Sequence, residues 1–103
     1  MKISDIGEFG LIERVRQIVA VERADIVAGI GDDVAVLDVG RRELLLATVD
    51  CQIDGVHFLS REATAAQIGR RSLAINLSDI AAMGGRPEHA LISLSLPPDT
   101  EVE

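Results

Sequence analysis

The stretch TAAQIGRRSLAINLSDIAAMGG, residues 64–85, contains both the start and the stop signals of a helix. Thr64 is a favourable N-cap residue, with Ser60 as the alternative start. The glycine pair at 84 and 85 is a strong C-terminal signal, and Pro87 follows closely. The pattern therefore predicts a helix from about Thr64 to Met83. Small residues that would let this helix pack closely against another element occur at Ala65, Ala66, Gly69, Ala74, Ala81 and Ala82.

The residues before this helix predict another helix and a hairpin. Apolar residues at 11, 12, 15, 18 and 19 fall on one helical face, which indicates an amphipathic helix from about Glu8 to Ala20. The strand-like runs Val34–Val39 and Leu44–Asp50 are separated by the polar turn at 40–42, so we expect them to pair. A further strand is predicted over His89–Leu96.

The order helix, strands, helix, strand predicts the α/β or α+β sandwich class, with helices packed on one face of a small mixed or antiparallel sheet. No linker, repeat or low-complexity stretch interrupts residues 1–103, so we expect a single domain. The last residues, PPDTEVE, resemble the cap and first turn of another helix. We therefore expect a domain truncated near its C-terminal end.

The composition argues against several classes of partner. The 103 residues are 48% hydrophobic, enough for a core, but include only two Phe and no Trp or Tyr. A net charge of −7 repels nucleic acid and anionic membranes, and few aromatic residues are present for base stacking. One cysteine, Cys51, excludes an internal disulfide, and no run reaches the roughly 20 apolar residues of a membrane span. We expect a cytoplasmic protein that binds neither nucleic acid nor membrane.

Oxygen ligands for a divalent cation occur at several places in the chain. GIGDDVAVL, residues 29–37, places Asp32 and Asp33 after a glycine turn, and Asp50 ends a predicted strand. Asn76 and Asp79, three residues apart, share a helix face. Asp79 lies among apolar neighbours in the sequence, where we expect its carboxylate to need a partner such as Mg²⁺.

Each candidate also has a purely structural interpretation. Asp32 is a common turn residue, and Asp50 would serve equally as a cap of the loop that follows. Asp79 would pair with Arg70-Arg71 or face water. His57, between apolar residues, would be a half-buried histidine whose hydrogen bonds are satisfied. Residue spacing alone leaves these alternatives open.

Four longer motifs narrow the choice: GEFGLIERV (7–15), GIGDD (29–33), DGVHFL (54–59) and LAINLSDIAAMGGRPEHALISLSLP (73–97). Together they resemble the N-terminal domain of the thiamine-monophosphate kinase family, within the superfamily of aminoimidazole-ribonucleotide synthetase. GIGDD and the NLSD…AAMG element are shared across that superfamily. GEFGLIERV and GVHF are more specific to the kinase, and the resemblance covers nearly the whole chain.

The resemblance implies magnesium ligands in the first half of the chain. Asp33 would bind magnesium, with Asp32 as close support. At the end of the predicted strand, Thr48, Val49 and Asp50 would supply hydroxyl, backbone and carboxylate oxygens. Val49 replaces the threonine usual in the family, so one side-chain hydroxyl is missing there.

The resemblance also implies how the substrates are bound. Asp79 would bridge several magnesium ions, so that Asp33, Asp50 and Asp79 together hold ATP through the metal. His57 would contact the thiamine phosphate. We name no catalytic residue, because the acceptor phosphate is already ionised near neutral pH and needs no strong general base.

By the same resemblance the implied reaction is ATP- and Mg²⁺-dependent phosphorylation of thiamine monophosphate to thiamine diphosphate. No G-x-x-x-x-G-K-[ST] motif occurs in the chain. The family forms homodimers whose N-terminal sheets close into a barrel. Its C-terminal domain and a further Gly-Gly-Asp element are absent from these residues, so we expect the 103 residues alone to be inactive.

Two other classes of function are compatible with the sequence. One is another ATP-using enzyme of the superfamily: a purine-biosynthetic synthetase, a selenophosphate synthetase or a hydrogenase-maturation enzyme. The other is a non-catalytic dimerisation module in which the acidic residues are only turns and caps.

Overall fold

A computed structural model of the chain describes residues 1–31, 33, 35–40 and 43–102. They belong to two compact units, one formed by Met1–Glu43 with Ile92–Glu103 and the other by Leu44–Leu91. In chain order the elements are helix α1 (Ile3–Ile18), strands β1 (Ile26–Ala28) and β2 (Val36–Leu37), and helix α2 (Ala65–Ala82). The predicted α+β class with a small antiparallel sheet is confirmed at this level.

Helix α1 begins five residues before the predicted start at Glu8. The backbone N–H of Lys2 donates to the Asp5 carboxylate at 2.7 Å, which stabilises the first turn. Gly7 interrupts the helix with a φ of 66°, so two helical segments meet there at a kink. The periodicity that begins at Leu11 could not reveal the first segment, because that segment lies before the kink.

The hairpin of the first unit differs from the predicted one. β2 pairs in antiparallel fashion with β1, with Ile26 opposite Leu37 and Ala28 opposite Val36. The sequence predicted no strand at Ile26–Ala28, and Val34, the predicted start of the next strand, lies outside the described residues. The GIGDD motif consequently occupies the connection between two paired strands. No packing of α1 on this sheet is present among the described residues, so the predicted helix-on-sheet layer is not found in this unit.

Two predicted strands, Leu44–Asp50 and His89–Leu96, do not form in the structure. Both segments are apolar, and their side chains are largely exposed: Leu44 by 94% and Leu91 by 84%. A strand requires a neighbour for its backbone groups, and the described part of this chain supplies none to either segment. The prediction of strands at these two segments is therefore wrong.

The two ends of the first unit meet. The N–H groups of Ile3 and Ser4 donate to the carbonyls of Thr100 and Pro98, both at 2.9 Å. Lys2 and Glu101 form an antiparallel bridge. The prediction that PPDTEVE starts a helix is wrong for its described residues, because 97–100 form a turn and Glu101 pairs with the N-terminal segment.

Helix α2 agrees with the prediction at both ends. Thr64 is the N-cap: its hydroxyl accepts the Gln67 N–H at 3.2 Å, while the Gln67 side chain accepts the Thr64 N–H at 2.8 Å. At the other end the N–H groups of Gly84 and Gly85 donate to the carbonyls of Ala81 and Ile80, each at 3.0 Å. This is the Schellman arrangement, and the φ of 71° at residue 84 explains the glycine there.

Burial is low throughout the described residues, none of which is fully enclosed. A chain with 48% hydrophobic residues thus leaves much apolar surface uncovered within one copy. Neither helix combines the length and apolar character that crossing a membrane would require, and the same holds for the rest of the described chain.

Candidate functional site

Asp33, the candidate from the GIGDD motif, lies in a bend of the β1–β2 connection, just after a turn at Gly31. Gly31 has a φ of 114°, a conformation that strongly favours glycine, and the chain reverses there between the paired strands. Asp33 is exposed. Asp32 lies outside the described residues. Local chain geometry thus explains the glycine of the motif.

In the second unit the structure brings together Thr48 and Asp79, which are 31 residues apart in the sequence. The Thr48 hydroxyl donates to a carboxylate oxygen of Asp79 at 3.4 Å, a long hydrogen bond. Gly85 is close to the same segment, since a Cβ at this position would overlap the side chain of Leu46. The absence of a side chain at Gly85 therefore allows Leu46 to approach the C-terminal end of the helix.

Asp79 is exposed, so its apolar neighbours in the sequence do not by themselves make its carboxylate need a partner. Its neighbours in sequence lie on different sides of the helix, which places the acid on an accessible side. Of the two structural alternatives considered from the sequence, Asp79 forms no ion pair with Arg70 or Arg71 among the described residues, whereas its exposure agrees with a carboxylate that faces water. An accessible carboxylate in contact with a hydroxyl keeps oxygen atoms available to a cation.

The neighbouring polar residue of α2, Asn76, uses one half of its amide within the helix. Its Nδ2 donates to the carbonyl of Ser72 at 2.9 Å. Its Oδ1 is enclosed and accepts no hydrogen bond in the described structure, as is also true of the Gln52 Oε1. These are two unsatisfied acceptor oxygens in the same unit as Thr48 and Asp79.

The remaining predicted metal ligands are exposed, but they do not form a cluster among the described residues. Asp50 is exposed, and the Val49 side chain is exposed by 87%. Within the described residues no three His, Cys, Asp or Glu side chains lie close enough together to hold a metal. The structure thus brings Thr48 to Asp79, and the assignment of these two residues and of Asp33, Val49 and Asp50 as metal ligands stays a prediction.

His57 lies in a tightly closed loop immediately before α2. The Ile53 N–H donates to the His57 Nδ1 at 3.1 Å, and the His57 N–H donates back to the Ile53 carbonyl at 2.9 Å. The ring is exposed, so the interpretation as a half-buried histidine is wrong. Residues 55–59 line a shallow depression of about 320 Å³ beside it.

Asp54 and Ser60 close this loop, and sequence reasoning missed their role. The Ser60 hydroxyl and N–H donate to the two carboxylate oxygens of Asp54 at 2.6 and 2.9 Å. These hydrogen bonds, with a smaller contribution from the Gly55 N–H, lower the pKa of Asp54. Ser60 was considered only as a helix cap, but Thr64 occupies that position. The Asp-Gly pair at 54–55, a common turn signal, was the sequence feature that could have indicated the loop.

Comparison with known proteins identifies the class. The family model described as "AIR synthase related protein, N-terminal domain" matches residues 31–103, and the chain belongs to this family. That match includes the region of Asp33, the Thr48–Asp79 pair and the His57 loop.

Within that class the curated relatives are thiamine-monophosphate kinases. The enzyme of Aquifex aeolicus is 40% identical over 102 residues, covering 99% of this chain and 31% of the relative. Those of Salmonella typhimurium and Rhodopirellula baltica are 41% and 45% identical over 91 and 85 residues, covering 88% and 76% of this chain and 28% and 27% of the relatives. The resemblance predicted from the motifs is confirmed. The chain spans between a quarter and a third of the length of these relatives, and no solved structure matches it significantly.

Proposed function

We propose that this chain is the ATP- and magnesium-binding part of a kinase that phosphorylates thiamine monophosphate to thiamine diphosphate. The observation that carries the proposal is the similarity to curated thiamine-monophosphate kinases along almost the whole chain. The Thr48–Asp79 contact and the closed loop of His57 support it, because both lie at positions that the family resemblance assigns to ligands.

The donor chemistry of the assigned residues suits magnesium. The carboxylates of Asp33, Asp50 and Asp79, the Thr48 hydroxyl and the Val49 carbonyl are all oxygen donors, which Mg²⁺ prefers over nitrogen or sulfur. Asp32 is assigned a supporting role beside Asp33. When bound, the metal would neutralise phosphate charge during transfer.

The protein's own residues would then position the two substrates. A strongly acidic chain repels the phosphates of ATP unless cations lie between them, and the three carboxylates would recruit those cations. Because its Nδ1 already accepts a hydrogen bond, His57 in the neutral form carries its proton on Nε2. That N–H would donate to the phosphate of thiamine monophosphate and orient it. No proton needs to be removed from an acceptor phosphate that is already ionised.

We also propose that the kinase is a homodimer assembled through this part of the chain, with paired sheets closing into a barrel. The uncovered apolar segments at 44–50 and 89–96 support the proposal, since a second copy would provide backbone partners and bury their side chains. We propose further that residues 1–103 do not turn over substrate by themselves, because they correspond to about a third of the length of the related kinases.

The test is a coupled assay of ATP consumption by the full natural protein with Mg²⁺ and thiamine monophosphate. Aminoimidazole precursors and selenide serve as competing acceptors, and thiamine diphosphate is identified as the product. We expect turnover with thiamine monophosphate alone. Turnover with another acceptor instead would reassign the protein to a different activity of its superfamily.

Two variants test the site within the same assay. Asp79→Asn removes a carboxylate charge at the helix position assigned to magnesium, and we expect kcat to fall by at least ~100-fold. Glu62→Gln removes the same charge from an exposed side chain that contacts Arg61, and it should leave kcat unchanged. Equal losses in the two variants would contradict the assignment of Asp79.

A further inference from the structure

The loop that carries His57 is closed by two sets of hydrogen bonds. On one side both carboxylate oxygens of Asp54 accept from Ser60, at 2.9 and 2.6 Å. Inside the loop the Gly55 N–H donates to the Phe58 carbonyl at 2.8 Å, and Asp54 and Phe58 form an isolated bridge. Hydrogen bonds therefore hold the loop of residues 54–60 together at its two ends, and a further hydrogen bond holds it across its middle.

The same loop determines which nitrogen of the neutral His57 ring carries the proton. A backbone N–H can only donate, so the Ile53 N–H requires an unprotonated Nδ1 on the His57 ring. The Ile53 carbonyl accepts both the His57 and the Val56 N–H, at 2.9 and 3.1 Å, which keeps Ile53 and His57 in register. The neutral ring consequently offers Nε2–H as a donor and cannot offer Nδ1–H without losing the Ile53 bond.

We propose that Asp54 and Ser60 are positioning residues: by closing the loop they hold His57 against Ile53 with Nε2–H as the outward donor to the acceptor phosphate. The inference rests on the proposed function for the identity of that phosphate. It adds a role for two residues that bind neither substrate nor metal in this scheme. Asp54 acts through geometry, since its carboxylate oxygens are both engaged by Ser60.

The geometry predicts a graded set of kinetic effects in the full natural protein. Asp54→Ala removes both hydrogen bonds, and we expect KM for thiamine monophosphate to rise about tenfold. Ser60→Ala keeps the backbone N–H donor of residue 60, so we expect KM for thiamine monophosphate to rise only about threefold. Asp54→Asn retains an acceptor for the Ser60 N–H and a donor for its hydroxyl, so most of the effect should be rescued. KM for ATP should stay within about twofold in all three variants.

A magnesium ligand or a general acid at position 54 would behave differently. Asp54→Asn would then be as damaging as Asp54→Ala, and the loss would appear in kcat and in the Mg²⁺ dependence. That pattern would overturn the proposal. Glu62→Ala, which removes a nearby acid without touching the Asp54–Ser60 bonds, is the matched control.

A double-mutant cycle and a spectroscopic readout complete the test. In a His57→Ala background, Asp54→Ala should add no further increase in KM, whereas additive effects would show that Asp54 acts independently of the ring. ¹⁵N chemical shifts of the His57 ring, assigned with His57→Gln, should show the Nε2–H tautomer in the wild type and a mixture in Asp54→Ala. This readout needs no substrate, so it tests the loop even if thiamine monophosphate is not turned over. A dominant Nδ1–H tautomer in the wild type would overturn the inference.

Discussion

Gly69 lies in helix α2, and Gly84 lies in its C-terminal cap. We expect substitution by alanine to stabilise the protein at the first position and destabilise it at the second. Gly69 lies inside the helix, where an added Cβ would meet only open space, and its φ is not positive. Gly84 also has open space, but its φ of 71° lies in the left-handed region. Steric clash is therefore absent at both positions, and the backbone conformation alone distinguishes Gly69→Ala from Gly84→Ala.

The expected magnitudes follow from these conformations. Alanine inside a helix is favoured over glycine by about 0.8–1.0 kcal/mol, so Gly69→Ala should raise the free energy of unfolding by that amount. A Cβ in the left-handed region costs roughly 1–2 kcal/mol. The reduced entropy of the unfolded chain offsets about 0.5 kcal/mol of it, which leaves Gly84→Ala destabilised by about 1 kcal/mol. The two variants should differ by about 2 kcal/mol, or ~30-fold in the unfolding equilibrium constant.

Urea unfolding of the full natural protein, followed by far-ultraviolet circular dichroism, measures both free energies. The wild type and the two variants should give equal m-values, since the surface exposed on unfolding hardly changes. A Gly84→Ala variant as stable as Gly69→Ala would refute the assignment of a left-handed C-terminal cap. Destabilisation by Gly69→Ala would instead show that another surface packs closely on this position in the assembled protein.

Three further predictions concern helix capping, ligand binding and pH. Thr64→Ala should lower the free energy of unfolding by about 1 kcal/mol, because it removes the N-cap hydroxyl of α2, and Thr64→Ser should restore it in the same urea titration. Mg²⁺ with a non-hydrolysable ATP analogue at 100 times its Kd should stabilise the wild type by about 2.7 kcal/mol, and Asp79→Asn should largely abolish this shift in thermal melts. Hydrogen bonds from Arg16 and Gln17 lower the pKa of Glu13 from 4.5 to about 2. The folded state therefore binds this proton less tightly than the unfolded state, so the contribution of Glu13 to stability is complete above about pH 5 and is lost as the pH falls towards 2. Glu13→Gln should flatten the acid limb of the stability curve over that range, and an unchanged limb would contradict the prediction.

The predictions from sequence succeeded where a few neighbouring residues decide the structure. Helix α2 was predicted to within one residue at each end, because its cap at Thr64 and its stop at Gly84 act through hydrogen bonds with residues three to five positions away. The family could be predicted for the same reason, since its motifs are short contiguous strings. Turn chemistry likewise indicated where GIGDD reverses the chain.

The predictions failed where the partner of a segment is distant in the sequence or is not found among the described residues. Val36–Leu37 pairs with the unforeseen strand at Ile26–Ala28 rather than with Leu44–Asp50. The exposure of Asp79 and the meeting of Lys2 with Glu101 are equally results of the chain path. Local pattern cannot select among possible strand partners, because many pairings satisfy the same alternation of apolar and polar residues.

The amino-acid sequence by itself determined helix α2 with its caps, the part of α1 after its kink, the acidic character and the membership in a kinase-containing family. Only the tertiary structure decided that Thr48 meets Asp79, which is 31 residues away in the sequence. The loop closed by Asp54 and Ser60 is local, and its Asp-Gly pair could have indicated it. The physical reason is the distance along the chain over which each interaction acts. Helix signals act within a turn or two of chain, whereas a site is assembled by hydrogen bonds between segments whose approach depends on the whole path of the backbone.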